Sequence, residues 1–305
     1  MHRYQRKHKA LGSTVLLTIV TAEDAAYAAG VLDLLVAHIT AFEQQFSRFR
    51  EDSELTAFNR QAGKHTPITP AMHQLLTAVK TYTERTHGLY NPFILPALQR
   101  AGYRSSWPSP QAPTTIDYTE RHVVRIDALQ IENDWARIPP DSALDFGGIG
   151  KGYLLDELAG ILVSKSVAGY WLSLGGDIVC AGRDIDGQSW KIGVQDASEP
   201  SKTVHTIAAM PNARTAIATS GVTKRKGEHR GAPWHHLIDP RTGKPADTTI
   251  LTATVVGPSG TDADIYAKAI AIGGEVLAKR WIQAGQIRLC ILQTVDGTRT
   301  IEGDA

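Results

Sequence analysis

The segment Leu144–Tyr153, with the sequence LDFGGIGKGY, constrains the fold of this chain more than any other. Its glycines allow a tight turn between a strand and a helix, because glycine has no Cβ and tolerates positive φ. Two further segments, Tyr170–Ile178 and His236–Gly243, also combine glycine with a carboxylate where a strand is expected to end. Backbone N–H groups that open a helix attract phosphate. The three segments together therefore predict a large phosphate-bearing ligand.

The glycine spacing excludes two familiar nucleotide-binding motifs. A P-loop requires Gly-x4-Gly-Lys-Ser/Thr, but Lys151 is followed by Gly152, and Asp145 occupies the position of the first glycine. The spacing also fails the Gly-x-Gly-x-x-Gly dinucleotide fingerprint. In the plainer interpretation, these glycines only shape a turn. The opposite charges of Asp145 and Lys151 on either side of the turn favour a ligand site instead.

Composition indicates a globular protein. The chain has 305 residues, of which 42% are apolar and 21% are charged, and its formal net charge is +1. This length allows a single domain over residues 1–305, or two intimate lobes. The near-neutral charge gives no electrostatic case for nucleic acid or for an anionic membrane surface as a partner. Cys180 and Cys290 stand in apolar surroundings, so we expect two buried free thiols in a reduced compartment.

The N-terminal region predicts a cytoplasmic protein. The basic residues 3–9 are expected to form a solvated terminus, and no apolar h-region follows them, so we expect no signal peptide. The longest apolar stretch, from Ala25 to Ala41, contains Asp33 and His38. We therefore expect no membrane span there.

The pattern of apolar residues predicts an α+β fold of mixed or antiparallel sheets packed with helices, because helices and strands do not alternate regularly. Capping boxes at Thr21–Asp24 and Ser259–Asp262 mark two helix starts. A proline after Thr69 marks a third. The predicted helices cover residues 21–46, 69–87, 150–165 and 259–284.

Strands are predicted between these helices from β-branched and apolar runs. They cover residues 11–20, 123–126, 130–132, 170–174, 190–194, 203–208, 214–218 and 250–256. Asp145 is expected to end a further strand, and a hairpin around Asp296-Gly297 is expected to close the chain. Residues 103–121, which are rich in Pro, Ser and Thr, are expected to form a surface excursion.

In this order, the segments described above resemble the FAD:protein FMN transferase family, the ApbE family. The resemblance runs over most of the chain and is also carried by Ala10–Thr14, Phe46–Leu55, Gly88–Pro92, Ala218–Gly221, Val255–Ser259 and Ala263–Lys268. It implies an ApbE-like flavin transferase fold. It also implies an enzyme that cleaves FAD and attaches FMN to a Ser or Thr hydroxyl of an acceptor flavoprotein, with release of AMP.

Two alternatives to this transferase activity remain open at the level of sequence. A Mg²⁺-dependent FAD pyrophosphatase would use water in place of the protein hydroxyl and release FMN and AMP. A catalytically silent flavin-binding protein would hold FAD without cleaving it.

The resemblance implies a role for each of several residues. His236 would take the proton of the acceptor hydroxyl, because imidazole titrates near neutral pH. Mg²⁺ would be held by the backbone carbonyl of Gly148 and the carboxylate of Asp264, since oxygen ligands suit this hard cation. Contacts with FAD are implied for Leu11, Phe49, Leu89, Tyr90, Asn91, Asp145, Lys151, Gly176, Thr219, Ser220 and Ile238.

Lys268 departs from the resembled pattern, in which a threonine four residues after the aspartate also binds the metal. A charged lysine cannot ligate Mg²⁺. Either Lys268 replaces part of the metal's role as a point charge on phosphate, which makes it a candidate catalytic residue, or it forms a plain surface ion pair with Asp264. Asn91 is a second departure, because aspartate is frequent at its position. Residues 239–243 are expected to shape a turn.

Overall fold

The computed structural model describes residues 1–105, 122–224, 226–229 and 232–303. Contacts divide the chain into two compact units. The first unit comprises Met1–Glu43, Ile149–Thr223 and Thr249–Ala305, and the second comprises Gln44–Gly148 and Lys224–Thr248. Each unit is therefore assembled from segments that are distant in sequence. Most of the excursion predicted for residues 103–121 lies outside the described residues.

The helices and strands of the described residues are as follows. The α-helices are α1 (Ala25–Phe46), α2 (Glu54–Arg60), α3 (Pro70–Arg85), α4 (Leu95–Arg100), α5 (Gly150–Val163), α6 (Gly260–Gly273) and α7 (Glu275–Gln283). Short 3₁₀ helices cover Pro92–Ile94 and Ile126–Ala128. The strands are β1 (His2–Ala10), β2 (Ser13–Thr21), β3 (Thr66–Pro67), β4 (Gln130–Ile131), β5 (Trp135–Arg137), β6 (Gly169–Leu174), β7 (Asp177–Gly182), β8 (Lys191–Gln195), β9 (Thr203–Ala208), β10 (Thr215–Gly221), β11 (Lys226–His229), β12 (Ala232–His235), β13 (Ile238–Asp239), β14 (Lys244–Pro245), β15 (Ile250–Gly257), β16 (Leu289–Thr294) and β17 (Gly297–Glu302).

Within the described residues, the first unit is built on an eight-stranded sheet with the order β1-β2-β6-β7-β10-β15-β16-β17. Each neighbouring pair of strands is antiparallel. Tight turns at Leu11-Gly12 and Gly175-Gly176 join two of these pairs, and all four residues have positive φ. Such turns match the twist of the flanking strands. The predicted α+β class with antiparallel sheets is confirmed.

The central strand β7 is buried on both faces of this sheet, which explains its almost continuously apolar sequence. Ile178 and Cys180 pack with Trp190 and other apolar residues of the β8–β9 hairpin on one face. Val179 lies on the other face, because side chains alternate along a strand. A Cβ built on Gly260 of α6 would lie 3.1 Å from Val179 Cγ2. Helices α5 and α6 therefore cover this second face.

The second unit is mainly helical, and side-chain caps begin two of its helices. Ser53 Oγ accepts the N–H of Thr56 at α2, and Thr69 Oγ1 accepts the N–H of Met72 at α3. Pro70 stands in the first turn of α3, as predicted, where a helix leaves the N–H unused. The small sheet β3-β5-β4 and the hairpins β11–β12 and β13–β14 also belong to this unit.

Two predictions for the N-terminal region were wrong. The predicted strand start at Leu11 is instead a hairpin turn. The basic residues 3–9 are exposed or half-buried, as expected, but they belong to the edge strand β1, which was not predicted. Polar and charged side chains suit an edge strand, so the basic sequence does not exclude one. Asp24 rather than Thr21 caps α1, because Asp24 Oδ1 accepts the N–H of Tyr27 at 2.9 Å.

Three predictions further along the chain were also wrong. Asp145 does not end a strand but lies in an irregular segment before α5. Residues 123–126 form no strand, and the hairpin pairs β4 with β5 instead. The helix predicted over residues 259–284 is divided into α6 and α7, because Gly274 has a φ of 93°. The predictions of α5 and of the closing hairpin β16–β17 are confirmed.

One helix among the described residues, α1, is long and apolar enough to cross a membrane, judged by length and composition alone. Its Leu35 and Ile39 are completely buried within the protein, as in a core helix. The absence of a membrane span therefore stays a prediction. Cys180 and Cys290 are buried and free, as predicted, and burial raises the pKa of each thiol to about 12.

Candidate active site

Two glycines bring α5 and α6 into direct contact in the first unit. A Cβ built on Gly152 would lie 2.3 Å from the carbonyl oxygen of Gly260 and 2.8 Å from Asp264 Cβ. No side chain fits at such distances, so this close approach requires glycine at position 152. It brings the Asp264 carboxylate to the N–H of Gly152, with Oδ2 3.3 Å from the nitrogen. The predicted glycine-rich turn therefore positions the predicted metal ligand.

Asp156 of α5 strengthens the same contact. Its carboxylate accepts the backbone N–H groups of Gly260 and Thr261, both at 2.8 Å, and the Thr261 hydroxyl at 2.7 Å. Ser259 caps the same helix end by accepting the N–H of Asp262 at 3.0 Å. The start of α6 is thus held by side chains of this chain, and Asp264 is fixed one turn further along.

Four charged side chains of the first unit form what we call the charge cluster: Lys151, Asp177, Asp264 and Lys268. Lys268 Nζ lies 2.9 Å from Asp264 Oδ1, and Lys151 Nζ forms an ion pair with Asp177. Burial raises the pKa of Asp264, but the charges of Lys268 and Lys151 outweigh burial, and its pKa is lowered from its ordinary value. Asp264 is therefore ionised at neutral pH.

The other predicted FAD contacts of the first unit lie at one end of its sheet. Leu11 and Gly176 belong to adjacent hairpin turns, because the N–H of Gly175 donates to the carbonyl of Thr14 at 2.9 Å. The N–H of Thr219 donates to Asp177 Oδ1 at 3.3 Å, and Ser220 follows it at the end of β10. The structure thus brings Leu11, Lys151, Gly176, Thr219 and Ser220 to the same end of the sheet.

Asp145 forms a buried ion pair in the second unit. Arg48 Nε lies 2.6 Å from Asp145 Oδ2, and the side chains are 6% and 8% exposed. Asp145 Oδ1 accepts the N–H of Gly147 at 2.9 Å. Asn59 holds the preceding segment by bonding both the N–H and the carbonyl of Leu144. Asp145 therefore helps to shape its own turn, besides any role toward a ligand.

Sequence reasoning missed Arg48 and Tyr103, which connect two of the predicted site residues. The Arg48 guanidinium lies 4.1 Å from the Phe49 ring centroid and 4.9 Å from that of Tyr103. Tyr103 also meets the ring of His236 edge to face, with centroids 6.3 Å apart. A buried carboxylate such as that of Asp145 needs a cationic partner. In the sequence, the two arginines that flank Phe49 were the signal that could have identified this partner.

The two adjacent histidines have different surroundings. His235 Nε2–H donates to the carbonyl of Ala246 at 3.2 Å, and His235 Nδ1 accepts the N–H of Leu237 at 3.3 Å. Burial lowers the pKa of His235, while these backbone bonds raise it less. His235 is thus a neutral structural residue, whereas His236 is half-buried and stands beside Tyr103.

The turn after His236 has the predicted form. Asp239 accepts the N–H of Gly243 with its carbonyl at 2.8 Å, and its carboxylate accepts three hydrogen bonds of 2.9, 3.1 and 2.7 Å from the Arg241 guanidinium. The interpretation of residues 239–243 as a turn is confirmed.

The remaining predicted FAD contacts lie in the interior of the second unit. Leu89, Tyr90, Asn91 and Ile238 are each at most 8% exposed. Asn91 Nδ2 donates to a backbone carbonyl and its Oδ1 accepts the N–H of Phe93, both at 2.9 Å, so it caps a 3₁₀ helix. The contact of these four residues with flavin stays a prediction.

Asp264, the predicted side-chain ligand of Mg²⁺, already has a partner at each of its carboxylate oxygens. Asp264 Oδ1 is bound by the Lys268 ammonium and Oδ2 by the N–H of Gly152, and Gly148 is buried in the turn before α5. The described part of the chain has no group of three or more His, Cys, Asp or Glu side chains suited to a metal. Lys268 pairs with Asp264, but the pair is buried, so its interpretation as a surface ion pair was wrong.

Comparison with known proteins places this fold among ApbE flavin transferases. The crystal structure of the ApbE protein from Thermotoga maritima superposes with a TM-score of 0.86 at 20% identity, covering 99% of this chain and 97% of the other. Flavin transferase ApbE from Vibrio cholerae gives a TM-score of 0.80 at 22% identity, with the same coverage. The model of the ApbE family matches residues 11–291, and the chain belongs to this family.

Curated relatives agree with this assignment. The FAD:protein FMN transferase of Vibrio cholerae is 31% identical over 261 residues, which are 83% of this chain and 76% of the relative. The protein of the same name from Treponema pallidum is 27% identical over 291 residues, covering 90% and 80%. The resemblance found in the sequence is thus confirmed.

Arg48→Lys tests the contribution of the stacked guanidinium. We expect the free energy of unfolding to fall by about 1–2 kcal/mol, because lysine keeps the charge beside Asp145 but loses the stacking on Phe49 and Tyr103. Urea denaturation measures this change. Arg50→Lys is the matched control, since Arg50 pairs with an exposed aspartate at the surface. This variant should leave the free energy of unfolding unchanged. An equal loss in both variants would contradict the role of stacking.

Proposed function

We propose that this chain is an FAD:protein FMN transferase. It cleaves the pyrophosphate of FAD, attaches FMN to a Ser or Thr hydroxyl of an acceptor flavoprotein, and releases AMP. The observation that carries this proposal is the charge cluster, in which Lys151 and Lys268 stand at the glycine-tight contact of α5 and α6. Ammonium groups at this place suit the two phosphates of FAD. The names of the relatives in the family support the same activity.

The reaction forms one P–O bond and breaks another. The acceptor hydroxyl oxygen attacks the phosphorus of the FMN half, and the bond from that phosphorus to the bridging oxygen breaks. The bridging oxygen leaves with AMP and takes the electron pair. His236 takes the hydroxyl proton, because histidine is the side chain that most often serves as a general base. Negative charge grows on the leaving AMP, where Lys151 and Lys268 offset it.

The family resemblance assigns FAD contacts to residues of each unit. Leu11, Lys151, Gly176, Thr219 and Ser220 of the first unit bind the nucleotide from the end of the sheet. In the second unit, Phe49 is 40% exposed and packs on a planar ring of FAD, since aromatic faces stack well. Asp145 and Arg48 hold Phe49 in place through their ion pair.

His236→Gln tests this mechanism directly. An acceptor domain with a Ser or Thr target is incubated with FAD and the chain, and FMN addition is followed by intact mass spectrometry and AMP by chromatography. We expect the transfer rate to fall about 10²–10⁴-fold, while FAD binding is retained, because only proton removal is lost. Acceptor with the target residue changed to alanine should gain no mass.

His235→Gln is the matched control, because His235 makes only structural backbone contacts among those described. Its transfer rate should stay near that of the native chain. A His236→Gln variant with native transfer would contradict the role of His236. Release of AMP and FMN without any acceptor would show the hydrolase instead, and bound but uncleaved FAD would show the silent binding protein.

A cytoplasmic location and a single domain over residues 1–305 are further proposals that rest on sequence alone. Fractionation of cells that express the full chain tests the first, since recovery with membranes would contradict it. Cooperative unfolding in one calorimetric transition would support the second.

A further inference from the structure

Lys268 stands where the family resemblance places a threonine ligand of Mg²⁺. Its ammonium is bound to Asp264, the residue that would hold the ion, with Nζ 2.9 Å from Oδ1. The N–H of Gly152 binds the other carboxylate oxygen. Both oxygens of Asp264 therefore already have cationic or N–H partners.

A divalent cation at Asp264 would have to displace the Lys268 ammonium. The Asp264 side chain is 3% exposed and that of Lys268 is 16% exposed, so the displaced ammonium would stay partly buried beside a second cation. Like charges in such surroundings repel strongly, because little water screens them. The charges of the cluster already balance, since two lysines face two aspartates.

The exposures within the charge cluster also differ between its cations and its anions. The lysines are 23% and 16% exposed, whereas their aspartate partners are 4% and 3% exposed. The lysine side chains are thus the more accessible members of both pairs. A group that approaches from solvent meets a lysine before an aspartate, which favours an anion such as a phosphate over a metal ion.

We propose that Lys268 replaces the divalent cation in this chain, so that FAD is bound and cleaved with no metal ion at Asp264. The proposal rests on the function proposed above. Lys268 takes over the metal's electrostatic role on the phosphates as a fixed point charge, and Asp264 holds its ammonium in place. Lys268 is then a catalytic residue of this chain, and Asp264 is a positioning residue.

The first test uses Mg²⁺ alone and needs no FAD. Thermal unfolding and calorimetric titration with MgCl₂ are measured for the native chain and for Lys268→Thr. We expect no saturable effect of Mg²⁺ on the native chain and a saturable stabilisation of Lys268→Thr, which restores the hydroxyl ligand. Lys279→Thr is the matched control, because Lys279 also pairs with an acid four residues before it, but at the surface. It should behave like the native chain.

The second test measures FAD binding in EDTA and in Mg²⁺. The native chain should bind FAD equally well in both, within error. Lys268→Thr should bind about 10–100-fold more weakly in EDTA and recover in Mg²⁺, since a charge-assisted contact to phosphate is lost and then replaced. FMN transfer to the acceptor should follow the same pattern.

Saturable Mg²⁺ binding by the native chain that Asp264→Asn removes would overturn the proposal. This measurement does not depend on how well Lys268→Thr folds. FAD binding by the native chain that EDTA abolishes would also overturn it while leaving the transferase function intact. A native chain that neither binds FAD nor transfers FMN in either buffer would instead refute the proposed function.

Discussion

Asp264→Asn is expected to lower the free energy of unfolding by about 3–5 kcal/mol, because it leaves the partly buried Lys268 ammonium without its counter-charge. Lys268 is 16% exposed and lies 2.9 Å from Asp264 Oδ1. Urea denaturation at neutral pH measures the loss. The double variant Asp264→Asn/Lys268→Met should recover most of it, since removing both charges of a buried pair is far less costly than removing one.

The difference in unfolding free energy between the native chain and Asp264→Asn is expected to depend on pH. The pKa of Asp264 is lowered in the folded protein, so its carboxylate stabilises the fold fully above its ordinary pKa of 3.8. The difference between the native chain and Asp264→Asn should therefore be complete at neutral pH and shrink as the pH falls below 3.8. A constant difference down to strongly acidic pH would contradict the ionised state of Asp264.

Gly152→Ala is expected to destabilise the protein by about 3 kcal/mol, because the new Cβ cannot fit between α5 and α6. It would lie 2.3 Å from the Gly260 carbonyl oxygen, and neither atom belongs to a flexible side chain. The helices must separate, and Asp264 loses its bond to the N–H of residue 152. We therefore also expect the FMN transfer rate to fall about 100-fold.

Gly160→Ala in the same helix is the matched control. A Cβ at Gly160 meets no atom within 4 Å, and alanine is the better helix former by about 0.5–1 kcal/mol. The control variant should therefore be as stable as the native chain or more stable, with unchanged transfer. If Gly152→Ala were equally well tolerated, the glycine contact could not be what positions Asp264.

Sequence patterns predicted those parts of the fold that depend on neighbouring residues. The caps at Thr69 and Ser259, the start of α5 at Gly150 and the turn at residues 239–243 were all predicted correctly. Each rests on hydrogen bonds or φ values within a few residues, so a short window contains the information. The edge strand β1 was missed, because its stability comes from pairing with β2 rather than from its own polar sequence.

The candidate site shows the same difference between features that depend on nearby residues and features that depend on distant segments. The resemblance picked out Asp145, His236 and Asp264 from motif positions, without knowledge of their partners. It did not find Arg48 or Tyr103, because ion pairs and ring contacts between distant segments leave no periodic signal in one sequence. It also could not show the structural role of Asn91, whose side chain caps a short helix.

The sequence by itself determined the family, the antiparallel α+β fold and the replacement of a threonine by Lys268. These follow from residue identities at fixed spacings. Only the tertiary structure decided that Lys268 and Asp264 form a buried pair rather than a surface one. Burial depends on which helices and strands pack around a side chain. Here the close contact of α5 with α6 at Gly152 places the Lys268–Asp264 pair in surroundings of low dielectric constant.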